Sequence, residues 1–128
     1  MATPIKWEDA NFSLSEVVDK AGSGNLAAAT STGGRTNKMT GRVGDSPILG
    51  AGTWAQNGLC AVSGTGHGEY FMRLLTAADV CKLMEYSNLS LEESTQIAVN
   101  KLTIKGAEGG IISIDSDGNI SAQFNTKG

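Results

Sequence analysis

Tyr70-Phe71-Met72-Arg73-Leu74-Leu75-Thr76-Ala77-Ala78-Asp79-Val80-Cys81-Lys82-Leu83-Met84-Glu85 runs without a glycine through a chain otherwise rich in it. Phe71, Leu74, Leu75, Ala78 and Cys81 recur there at spacings of three and four, which predicts an amphipathic helix over 70–85 with one buried face. A second helix starts at Ser90. Ser90-Leu91-Glu92-Glu93 is a capping box, in which the serine caps and Glu93 reaches back to it. Leu91, Ala98 and Leu102 continue one apolar face, and the short link 86–89 predicts an antiparallel helix pair packed on a sheet. Lys101 and Lys105 suit the negative end of the second helix.

The sheet is read from the flanks of that block. Gly110-Ile111-Ile112-Ser113-Ile114-Asp115 is β-branched and alternating. Asp117-Gly118 then supplies a tight turn into 120–124, which completes a C-terminal hairpin. Upstream, 25–30 and 59–65 read as short strands, with a weaker one through 48–54. Leu14–Val18 reads as a helix turn or a ragged strand. Strands, a helix pair and a hairpin make an α+β arrangement, with neither repeats nor a linker to divide it.

Composition narrows the function classes. The 128 residues suit one domain, and 10 basic against 13 acidic side chains leave a net charge of −3. That balance argues against a nucleic-acid or anionic-membrane surface, since both need a basic face. Hydrophobic residues at 40% and charged residues at 18% exclude a disordered chain. No apolar run approaches the ~20 residues that span a bilayer, and residues 1–8 lack the basic-then-apolar build of a signal peptide. A soluble, cytoplasmic protein is expected. Cys60 and Cys81 are accordingly expected as reduced, buried thiols. With His67 the only histidine, a His-rich metal site is not available, and no cofactor is expected. Trp7 and Trp54 are assigned to packing, and Met39, Met72 and Met84 to filling gaps.

Glycine is the outlier, 17 of 128 residues or about 13%, against a usual ~7%. It concentrates between Gly22 and Gly68, in the segment that carries polar motifs: Ala29-Thr30-Ser31-Thr32-Gly33-Gly34, Gly41-Arg42-Val43-Gly44-Asp45-Ser46-Pro47 and Gly64-Thr65-Gly66-His67-Gly68. Each has two readings. Arg42 and Asp45 are a surface pair, or a carboxylate clamp and an ammonium holder that grip the two ends of an α-amino acid. Thr65–Gly68 is a glycine-rich helix cap, or a strand-to-helix turn whose Thr65 hydroxyl and Gly66 N–H form an oxyanion hole. A phosphate loop is excluded because its lysine is missing.

Taken together with Asn25–Gly34 and Asn37-Lys38-Met39, these motifs resemble the β subunit of plant-type L-asparaginase/isoaspartyl peptidase. The resemblance extends from about Gly24 to Asn125. It implies an N-terminal-nucleophile hydrolase with an αββα sandwich, of which this chain carries a partial half. In that family a precursor cuts itself, and the new N-terminal threonine acts as nucleophile with its own amine as base. By resemblance, Thr32 positions the nucleophile, Arg42 clamps the substrate α-carboxylate, Asp45 and the Gly68 carbonyl hold the α-amino group, and Thr65 and Gly66 form the oxyanion hole. The glycines Gly33–Gly34, Gly41, Gly44 and Gly64–Gly68 would then line a substrate pocket, with His67 as a supporting or cap residue.

The nucleophile itself is not identified in this chain. Leu14, flanked by Ser13 and Ser15, stands where the resemblance places the threonine. Residues 1–23 are therefore read as a divergent segment replacing the nucleophile strand, and 24–128 as the β-subunit-like domain. The implied function is hydrolysis of β-aspartyl amide bonds in L-asparagine and isoaspartyl dipeptides, once completed by a nucleophilic threonine and an α subunit. The alternative is an inactive module that binds aspartate-like ligands. The expected partners are that small-molecule substrate and an α-subunit-like chain or a second copy, with no nucleic acid and no membrane.

Overall fold

A computed structural model of the protein describes residues 25–126. Trp7, the 14–18 stretch, Leu14 with its flanking serines and the proposed 1–23 segment lie outside them. Four antiparallel strands, β1 (Thr53–Gln56), β2 (Cys60–Gly66), β3 (Gly109–Asp115) and β4 (Ile120–Phe124), form one sheet in the order β1-β2-β3-β4. Between β2 and β3 the chain leaves the sheet to form α1 (Gly68–Leu74), α2 (Thr76–Ser87) and α3 (Leu91–Ile104). The α+β expectation holds at this level of layers.

Alternation along the strands divides the apolar residues between two faces. Val62 and Ile111 face the helices, in a core with Phe71, Val80, Leu91, Val99 and Leu102. Ala61, Ile112 and Ile114 point the other way, where Leu26 and Ala28 cover them. The segment 25–30 is thus not the predicted strand. It keeps a two-residue alternation of burial but joins no ladder, because it lies over the sheet face rather than beside a strand. Leu26 N–H instead donates to Asn57 Oδ1 at 2.8 Å.

The predicted single helix over 70–85 is two. Leu75 takes a left-handed conformation, φ 49° and ψ 50°, between α1 and α2. Ala77 N–H and Ala78 N–H donate to the carbonyls of Ala51 and Gly50 at 3.0 and 2.9 Å, so the first turn of α2 is tied to the loop before β1. That turn shifts the helical phase: Thr76 is buried and Leu75, expected inside, is 48% exposed. The predicted strand over 48–54 reduces to an isolated bridge between Leu49 and Thr53, and regular pairing starts only at Thr53.

Other local readings hold. Ser90 caps α3 with both halves of the capping box present, and Lys101 lies in its last turn, paired with Asp79 at 2.8 Å. Gly118, at φ 92°, turns the β3–β4 hairpin. Asp115 Oδ1 there accepts from the Asp117 and Asn119 N–H groups at 3.0 and 2.8 Å. Trp54 and Met84 pack against the core as expected. Met39 does not: it is 82% exposed in the loop before Arg42, with no gap to fill.

The cysteines require a correction. Both are buried as expected, but Cys60 and Cys81 form a disulfide rather than two thiols. β2 starts directly under α2, which brings their Cα atoms to 5.6 Å, inside the range a disulfide spans.

Phe71 accounts for part of the glycine excess. Its ring packs against the backbone of β2 and β3, where a Cβ at Gly64 or Gly109 would stand 2.6 or 2.5 Å from ring atoms. Full burial of that ring contributes about 2–3 kcal/mol, and only glycine admits it so close. These glycines thus serve packing, whereas Gly44 and Gly68 belong to the site below.

Candidate functional site

The loop 41–52 is folded by its own backbone. Asp45 C=O accepts from Ile48 N–H at 3.0 Å and from Gly52 N–H at 3.2 Å, which curls the loop around the Asp45 side chain. The carboxylate is thereby buried, at 6% exposure, and Oδ2 has no hydrogen-bond partner among the described residues. A Cβ on Gly52 would stand 2.7 Å from that oxygen, so the loop closes tightly behind it. Burial raises the Asp45 carboxyl above its usual 3.8, against its own backbone hydrogen bond and the nearby Arg42 charge, which lower it.

Arg42 comes from the same loop and meets Glu69, on the first turn of α1. Its Nε–H donates to Glu69 Oε1 at 2.8 Å. That bond raises the guanidinium pKa further and holds the Glu69 carboxyl down to about 2. Gly68, one residue earlier, lies against Arg42 and Asp45. A Cβ there would be 2.7 Å from Asp45 Oδ1 and 3.1 Å from Arg42 Nη2, and one on Gly44 would be 3.3 Å from Nη1. Two glycines therefore keep the charged ends of Arg42 and Asp45 clear of side chains.

A chain of hydroxyls lies beside this pair. Thr32 Oγ1 is 3.3 Å from Ser46 Oγ, next to Asp45. Thr53 Oγ1 donates to the Ser46 carbonyl at 3.3 Å and also to Thr30 Oγ1. Thr30 Oγ1 is in turn 2.7 Å from Ser63 Oγ on β2. Thr65 lies two residues further along β2 and so on the same sheet face as Ser63, opposite Gly110. Gly66 ends the strand at φ 151°, where a Cβ would be 2.4 Å from Glu108 C=O. His67 occupies the N-cap of α1, and its Nδ1 accepts from Glu108 N–H at 3.2 Å rather than from the helix.

Of the residues singled out in the sequence, Thr32, Arg42, Asp45 and Gly68 are brought into one neighbourhood. Thr65 and Gly66 sit on the strand that leads into it. Glu69, Ser46, Thr30, Thr53 and Ser63 were not assigned roles. Glu69 alone had a readable sign, an acidic residue directly after Gly68 in a segment that also needs an arginine held. A separate hollow of about 580 Å³, lined by Met84, Glu92, Asp115 and Ile120 among others, contains none of these residues. The Asp115 carboxylate there is taken up by its own hairpin turn. No group of three or more metal-ligating side chains occurs among the described residues. No helix there is long and apolar enough to cross a membrane.

Residues 16–128 match the family model described as asparaginase. The chain belongs to the asparaginase family. Within it, the chain is 56% identical to the isoaspartyl peptidase of Escherichia coli (strain K12) over 106 residues, which is 82% of this chain and 33% of that relative. It is 54% identical to the isoaspartyl peptidase of Salmonella typhimurium over 106 residues, 82% of this chain and 34% of the relative. A probable isoaspartyl peptidase/L-asparaginase 2 of Arabidopsis thaliana is 45% identical over 112 residues, 88% and 33% of the two chains. The chain thus spans about a third of the length of the asparaginase-family relatives it matches. The resemblance read from the motifs of residues 24–125 is the correct family.

Proposed function

We propose that this chain carries the substrate-gripping part of a β-aspartyl amidohydrolase acting on L-asparagine and isoaspartyl dipeptides, the activities named for its relatives. The observation that carries the reading is the convergence of Arg42 and Asp45 on the Gly68 backbone. The Arg42 guanidinium and Oδ1 of the buried Asp45 carboxylate flank the same bare backbone, two opposite charges set to receive a carboxylate and an ammonium carried on one carbon. An α-amino acid has that pattern.

In this reading Arg42 takes the α-carboxylate, and Asp45 with the Gly68 carbonyl takes the α-ammonium. The β-amide carbonyl then points toward β2. A threonine hydroxyl attacks that carbon, its proton passing to the threonine's own amine, and the carbonyl electrons move onto oxygen. Thr65 Oγ–H and Gly66 N–H stabilise that oxyanion, while Thr32 positions the nucleophile. Collapse expels ammonia or the amino-acid amine, which takes up the proton. Water then cleaves the acyl ester. No residue of this chain is assigned as that nucleophile; the threonine and an α-subunit-like chain, supplying the second sheet of the sandwich, are part of the proposal. Ile120 and Phe124, 62% and 61% exposed on the edge strand β4, support an apolar contact there.

Turnover of L-asparagine and of a β-aspartyl dipeptide tests the reading, with Thr32→Ala as the control that must abolish it. A specific feature, Leu14 in the place of the threonine, favours a second reading in which the same pocket binds aspartate-like ligands without turnover. Binding of L-aspartate with no product from either substrate selects it. Neither binding nor turnover removes both.

A further inference from the structure

Arg42 has two edges with which to meet a carboxylate: the Nε side, and the fork of its two terminal nitrogens. Glu69 Oε1 occupies the first at 2.8 Å. The second faces Gly44 and Gly68, where Nη1 and Nη2 are the atoms a Cβ at those positions would meet. Glu69 Oε2 lies 4.0 Å from Arg35 Nη1, so its second oxygen is directed away from the Arg42 fork toward another cation. The side chain of Arg42 is only 17% exposed while that of Glu69 is 41% exposed, so the contact is made at the rim and fixes a group that reaches inward.

We propose that Glu69 is a positioning residue for substrate recognition: by holding the Nε edge of Arg42, it turns the terminal fork toward Gly44 and Gly68 to receive an α-carboxylate. The proposal rests on the pocket reading above and adds a residue and an orientation to it. The depressed Glu69 carboxyl keeps this contact ionised throughout the neutral range.

Charge alone and positioning make opposite predictions. Glu69 places a negative charge beside a carboxylate site. By Coulomb's law its removal should tighten anion binding. If Glu69 works by orienting Arg42, its removal frees the guanidinium to rotate and weakens binding of a ligand that needs the fork. Titration calorimetry of the chain with L-aspartate and with β-alanine, which keeps the amine and distal carboxylate but lacks the α-carboxylate, separates the two. Glu69→Ala should weaken L-aspartate by about fivefold and leave β-alanine within about twofold. Glu69→Gln, which keeps an acceptor oxygen, should recover part of the loss. Tighter or unchanged L-aspartate binding in Glu69→Ala overturns the proposal, as does an equal loss for both ligands, which would mean a disturbed helix start. If the unmutated chain binds neither ligand, the pocket reading falls first and takes this proposal with it. Binding that persists without dependence on Glu69 defeats the positioning role alone.

Discussion

At the scale of single residues, the Glu69 and Asp45 carboxyls respond to pH in opposite senses. Glu69 is lowered from 4.5 to about 2. Its pairing with Arg42 therefore contributes fully above about 4.5 and is lost as pH falls through about 2. Acid-unfolding curves of the unmutated chain and Glu69→Gln should differ most above 4.5 and converge toward pH 2. Asp45 is raised above 3.8 by burial. The folded chain then binds that proton more readily than the unfolded chain, so stability falls as pH rises through the window above 3.8, and the ionised carboxylate opposes folding at neutral pH. Asp45→Asn is expected to raise the thermal midpoint at pH 7 by scanning calorimetry, while weakening L-aspartate binding by about tenfold or more. A site residue that costs stability is what a preformed ammonium holder requires. Arg42 and Asp45 were singled out by the Gly41–Pro47 motif and the resemblance it carries, with a surface pair as the other reading; the fold adds that both approach Gly68. Glu69 was not singled out, since its role depends on which edge of Arg42 it meets, and only the fold decides that.

Elements were legible where their causes are local. The Ser90 capping box lies within four residues, and it appears as read; Ser90→Ala should cost about 1 kcal/mol in urea unfolding. The Asp117-Gly118 turn is likewise set by adjacent residues. The break at Leu75 is not, because neither glycine nor proline marks it. It follows from hydrogen bonds between the start of α2 and carbonyls 26 or more residues earlier. The segment 25–30 shows the same limit. Its alternation was readable as extended chain, but whether such a chain pairs with a strand or covers a sheet depends on what lies beneath it. Here Ala61, Ile112 and Ile114 do. Phe71 joins both sides of this argument, as a helix residue predicted to be buried whose glycine floor was not anticipated. Phe71→Ala should destabilise by about 3–5 kcal/mol, measured by the same urea titration.

At the scale of the whole molecule, one sheet has helices on one face and the 25–30 segment on part of the other. Its β4 edge presents Ile120 and Phe124 to solvent. The family was legible because four motifs in order constrain it more tightly than any single one. The disulfide was not, since Cys60 and Cys81 are 21 residues apart and only the placement of α2 over β2 brings them together. Closing a loop of that length stabilises by about 3 kcal/mol, so reduction under denaturing conditions followed by refolding should lower the urea midpoint accordingly. The central claim is that Arg42 and Asp45, meeting at Gly68, read both charges of an α-amino acid. Calorimetry of the unmutated chain with L-aspartate, succinate and β-alanine addresses it directly, because the last two each remove one of those charges. The account predicts binding of L-aspartate at millimolar concentration or below, with succinate and β-alanine both about tenfold weaker or more. Equal affinity for all three, or no heat with L-aspartate at millimolar concentration, would contradict it.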